Sequence, residues 1–161
     1  MKSFLRRRTL FFFAALLGTG IAFAAGEDKS VEFHGTVSAL DLPANTITVR
    51  SREKDYVFQI DPQRCAIVKD GGVSSPGAPA SGLGSAQIGD TVVGILVVEQ
   101  AKPVVTHLYL TTKPETGVRV KEKPGFITSP YHPGGEAIDV RGYRRGSLLV
   151  DKANGRIFLV P

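Results

Sequence analysis

The chain has 161 residues, 20 of them basic and 15 acidic, with nine Phe, four Tyr, one Cys and no Trp. Residues 1–24 hold four of the positive charges (Lys2, Arg6, Arg7, Arg8), so the remaining 137 residues carry a formal charge of only +1. That excludes a nucleic-acid binder working by bulk charge, a multi-span membrane protein and a disulfide scaffold, and it leaves room for one or two small globular units.

A basic Met1–Arg8, an apolar run from Leu10 to Ala24 and the ending Ala22-Phe23-Ala24 together predict a secretory signal peptide, cleaved before Ala25. The apolar run falls short of the roughly 20 residues that cross a bilayer. Arg6-Arg7-Arg8-Thr9-Leu10-Phe11 is similar to a twin-arginine export signal, although the usual preceding Ser is missing, and both export routes stay open. The expected location is the periplasm or the exterior. Residues 25–30 are expected to form a disordered stub.

From Val31 the sequence alternates with period two. Val31, Phe33, Gly35, Val37 and Ala39 take one face, and Glu32, His34, Thr36 and Ser38 take the other. Asp41–Asn45 supplies a turn. Thr46–Arg50, Tyr56–Ile60 and Cys65–Lys69 read as further strands. Gly71–Ala86 contains five Gly, four Ser, two Pro and no charge, which predicts a flexible loop. Thr91–Val98 is apolar on both faces and belongs at the centre of the fold, with Gly94 marking a bend or bulge. Val104–Thr112 closes the unit, with Leu108 and Leu110 inward and His107 and Tyr109 outward. The expected fold is all-β: a small five- to six-stranded barrel over residues 31–112. Residues 113–125 form a linker or an outlying strand. Residues 126–161 form a C-terminal β module whose hairpin turns at Asn154-Gly155.

Gly35-Thr36-Val37, Asn45-Thr46-Ile47-Thr48-Val49 and Ile88-Gly89-Asp90-Thr91-Val92 resemble segments of a family of exported bacterial domains without an assigned activity. That resemblance implies an oligonucleotide/oligosaccharide-binding-like (OB-like) barrel. Ser129-Pro130-Tyr131, Asp139-Val140-Arg141-Gly142 and Gly155–Pro161 resemble a C-terminal module of other exported proteins. Neither resemblance implies a catalytic residue.

His34, His107 and His132 lack metal-ligand spacing, no Gly-x-Ser-x-Gly elbow is present, and Gly82-Leu83-Gly84 opens no phosphate-binding helix. No enzymatic activity, cofactor or metal is therefore expected, and Cys65 reads as a small buried hydrophobe. Asp139 and Arg141 share a strand face and predict a surface ion pair. The candidate contact residues are Tyr131, Arg141, Tyr143, Arg144 and Arg145. Arginine forks grip phosphate or carboxylate, and tyrosine offers a flat amphipathic face. Residues 113–161 hold nine basic and five acidic side chains, against seven and ten in residues 25–112. The sequence thus predicts an envelope binding or scaffolding module for a protein or an anionic polymer, with the basic tail as docking element. The alternative is single-stranded nucleic-acid or oligosaccharide binding by the barrel, which export and sparse aromatics disfavour. An enzyme with a scattered site is the third reading, and no residue spacing supports it.

Overall fold

The computed structural model describes residues 30–74 and 81–161. The expected leader and nearly all of the 25–30 stub lie outside them. Strands β1 (Val31–Asp41), β2 (Thr46–Ser51) and β3 (Lys54–Gln59) form an antiparallel meander. Strand β4 (Ala66–Lys69) is followed by the short β5 (Gly72–Ser74), with which it pairs. Strands β6 (Thr91–Glu99) and β7 (Lys102–Thr111) form a long hairpin; β6 pairs back to β1, and β4 runs parallel to β7. The result is one seven-stranded sheet in the order β3-β2-β1-β6-β7-β4-β5. The fold is all-β, as expected. The ladder holds seven strands where five or six were expected, and its ends, β3 and β5, are not bonded to each other. The sheet nevertheless curls: β3 touches β7, and Ile47 of β2 shares one core with Ile67 of β4 and Leu108 of β7.

β6 occupies the middle of the sheet because its side chains are apolar on both faces. Val92 enters the inner core, while Val93, on the opposite face, is equally buried. Two expectations change in detail. β1 carries a bulge between Val37 and Ala39, which turns Ala39 out to solvent and brings Leu40 onto the core. Gly94 is not itself an irregularity: the β6–β7 register shifts between Ile95 and Leu96, where Thr106 of β7 is the extra residue. Gly94 is small because Phe33 lies over it: a Cβ there would stand 2.1 Å from the Phe33 ring. That ring stacks in turn on Phe58, 4.2 Å between centroids.

Both ends of the Gly/Ser/Pro segment lie within the described residues. Asp70 and Gly71 make a tight turn with positive φ (50° and 87°) into β5. One helical turn, α1 (Ser81–Gly84), follows, and Leu83 and Ala86 are buried in the core. These two apolar side chains fix the C-terminal end of the segment; residues 75–80 of the expected loop lie outside the described residues. Asp90 then seals this end of the sheet. Its carboxylate is 1% exposed and accepts hydrogen bonds from Lys69 Nζ (2.8 Å), the Gln87 N–H (2.8 Å) and Thr112 Oγ1 (3.2 Å).

Residues 113–125 follow the strand alternative. They contribute β8 (Glu115–Thr116) and β9 (Val118–Arg119). Strands β10 (Phe126–Thr128), β11 (Ile138–Asp139), β12 (Leu148–Val150) and β13 (Ile157–Leu159) complete two three-stranded sheets, β11-β10-β9 and β12-β13-β8. Gly117 lets the chain pass from one sheet to the other. Its N–H donates to Leu159 O at 2.8 Å, and a Cβ there would lie 2.9 Å from Ile127 Cδ1. The hairpin at Asn154-Gly155 forms as expected, held by Gly155 N–H to Asp151 O at 2.7 Å. Ile127, Phe158 and Val160 make a second core. The tail lies against the outer face of the sheet: a Cβ on Gly155 would meet Val68 at 2.8 Å and the Tyr109 ring at 3.3 Å. Among the described residues, no helix is long and apolar enough to cross a membrane.

A basic turn beside a cleft: the candidate functional site

The segment from Val140 to Ser147 is a double turn, closed by Tyr143 N–H to Val140 O (3.0 Å) and Ser147 N–H to Arg144 O (3.0 Å). Gly146, at φ 81°, anchors it to the last strand by donating its N–H to Val160 O at 2.8 Å. Tyr143 is 52% exposed. Arg144 and Arg145 are exposed, and neither has a carboxylate partner among the described residues.

The other two candidate contact residues are engaged inside the tail. Arg141 forms the expected ion pair with Asp139, Nε to Oδ1 at 2.9 Å, and its stem packs on Gly125. Hydrogen bonds from the Arg141 side chain, and then from its backbone N–H, hold the Asp139 carboxyl down to about 2. Tyr131 is a tie between strands. Its hydroxyl donates to Ile157 O and accepts from the Glu115 N–H, both at 3.1 Å, and the Arg156 guanidinium lies 3.7 Å above its ring. The structure therefore ties Tyr131 into the tail's own framework, pairs the still exposed Arg141 with Asp139, and leaves the side chains of Tyr143, Arg144 and Arg145 exposed.

Gly146 also lines a cleft of about 600 Å³ between sheet and tail. The sheet supplies His34, Arg50 and Arg52, and the tail supplies Leu148 and Leu159. Arg50 is gripped by Asp55 through two hydrogen bonds of 2.9 Å, and Asp55 also accepts from Ser38 Oγ at 3.2 Å. Those bonds raise the Arg50 pKa and lower that of Asp55. Arg52 sits at the β2–β3 turn in the left-handed region, φ 57°, an uncommon place for a residue with a Cβ. The sequence held no signal for this cleft. Its cations lie about a hundred residues from the leucines, and only the docking of the tail brings them to one place.

The three histidines remain apart. His34 is opposite Val93 on β6, and His107 is opposite Ile95 on the other edge of that strand. Among the described residues, no group of three His, Cys, Asp or Glu side chains could hold a metal ion. His107 Nδ1 lies 3.2 Å from Thr106 Oγ1. Cys65 is 3% exposed, and burial pushes its thiol up to about 12, as suits a core residue rather than a nucleophile.

No protein-family model matches the chain, and no curated protein matches it. Among solved structures, apo-CusF residues 6–88 from Escherichia coli is similar at 17% sequence identity and a TM-score of 0.36, covering 56% of this chain and 98% of that one. A likeness that shallow carries no functional argument. What can be stated of the chain is its all-β architecture and the arrangement of its exposed cations.

Proposed function

We propose that the protein is an exported, non-catalytic binding module of the bacterial envelope, acting in the periplasm or outside the cell on an anionic polymer. One observation carries this reading. Tyr143, Arg144 and Arg145 stand exposed on one short turn, with no carboxylate partner among the described residues, and Gly146 ties that turn to β13's continuation. Held in place by the second core, the turn presents two guanidinium forks and a flat ring without first breaking internal ion pairs. Arginine forks suit phosphate and carboxylate groups alike.

The test is retention of the protein on an immobilised anionic polysaccharide, compared with a neutral one, at rising salt. The expected result is selective retention that falls steeply with salt and weakens about tenfold in the Arg144→Gln/Arg145→Gln double variant, the fold-change equivalent of about 1.4 kcal/mol. Equal retention on both matrices, or of variant and unmodified protein, rejects the reading.

A further inference from the structure

We propose that the cleft between sheet and tail is a second binding site, and that it takes an organic phosphate whose other part is aliphatic. Different residues carry this inference from those of the basic turn. The cleft has about 600 Å³, within the roughly 300–1,000 Å³ of clefts that hold small ligands, and it lies at a junction of units where such sites form.

Its chemistry is divided between two walls. On the sheet side stand His34, Arg50 and Arg52 with the hydroxyls of Ser51 and Thr91, and no carboxylate lines the cleft. Asp55 neutralises Arg50 and holds its fork still. Arg52 and His34 have no such partner among the described residues, so two cationic or proton-donating groups face the space together. A doubly charged phosphate ester satisfies them and has oxygens left over for the hydroxyls. The tail side is apolar: Leu148 and Leu159 offer aliphatic surface. No Phe, Tyr or Trp lines the cleft, so it lacks the broad stacking platform that favours a nucleobase. A hydrocarbon portion is what these leucines accommodate.

The position of Arg52 supports the assignment. A side-chain-bearing residue at φ 57° costs conformational energy in a two-residue turn that Gly or Asn would make freely. The structure keeps an arginine there, facing the cleft.

The probes are sn-glycerol 3-phosphate, dihexanoyl phosphatidate and adenosine monophosphate, titrated calorimetrically into the purified protein. The expected order is phosphatidate tightest, about tenfold over glycerol phosphate, with the nucleotide no better than glycerol phosphate. Arg52→Gly is the main variant, because glycine fits this turn's backbone and the fold survives the change. It should weaken phosphatidate and glycerol phosphate about tenfold each, and His34→Gln should weaken both several-fold. Lys121→Gln, outside the cleft, should leave them unchanged. No binding of either aliphatic phosphate overturns the proposal, as does unaltered affinity in Arg52→Gly. Equal affinity for the two aliphatic probes overturns the role of the leucines, and a preference for the nucleotide overturns the ligand class.

Discussion

Asp139 ends β11, and Arg141, two residues on in the following turn, bonds its carboxylate through side chain and backbone together. The folded carboxyl titrates at about 2, below its ordinary 3.8, so the folded state favours the charged form. Stability from this pair is therefore complete above about pH 4 and disappears as pH falls through 2. A carboxyl carbon-13 titration should give an Asp139 midpoint near 2, and Arg141→Gln should move it back towards 3.8; an unmoved midpoint refutes the pairing. Phe33 and Gly94 are coupled through shape in the same way. Gly94→Ala alone drives a Cβ into the Phe33 ring and should cost about 1–3 kcal/mol by urea unfolding. In a Phe33→Ala background the same change should cost little, giving a double-mutant coupling above about 1 kcal/mol. Simple additivity would show that the two residues do not meet. Alternation in β1 made the inward direction of Phe33 legible. That Gly94 answers the ring of Phe33 was not, because the register between β1 and β6 decides which residue lies opposite.

At the scale of elements, turn chemistry explains both the successes and the misses. Asn154-Gly155 announces its hairpin because both residues tolerate positive φ. The β6–β7 hairpin turns instead on Gln100 and Ala101, at φ 49° and 63°, with Glu99 paired to Lys102. Nothing in Gln-Ala marks such a turn, so β7 begins two residues earlier than its composition suggests. β8 and β9 could be read only as linker or outlying strand for a similar reason: each has only two residues and exists because β13 and β10 offer it an open edge. Tyr131 holds this arrangement by bonding Glu115 and Ile157 at once. Tyr131→Phe should cost about 1–3 kcal/mol, since it removes two hydrogen bonds and leaves their partners short. Faster amide exchange should then appear at Glu115, beyond the tyrosine's own turn. Unchanged exchange at Glu115 would show that the hydroxyl does not hold β8.

At the scale of the molecule, sheet and tail behave as partners. Val68 and Val93 are 6% and 1% exposed on the outer face, where Gly155 touches Val68 and Tyr109. A chain ending at Thr112 leaves that face bare. It should bind a hydrophobic dye such as ANS and elute as a larger species, while the full chain does neither. A dye-silent, monomeric fragment would show that the sheet stands alone.

The amino-acid pattern by itself determined the all-β class, the inward faces of the long strands, the central place of β6 and the Asn154-Gly155 hairpin. Each follows from local periodicity or from the backbone freedom of one or two residues. Tertiary structure alone decided which candidate tyrosine is free. Tyr131 and Tyr143 look alike as sequence candidates, yet Glu115 and Ile157 engage the hydroxyl of the first while the second stands exposed. It also decided that His34, Arg52, Leu148 and Leu159 share one cleft. A pairing or a cavity depends on which distant surfaces meet, and period-two alternation carries no information about what lies across a fold.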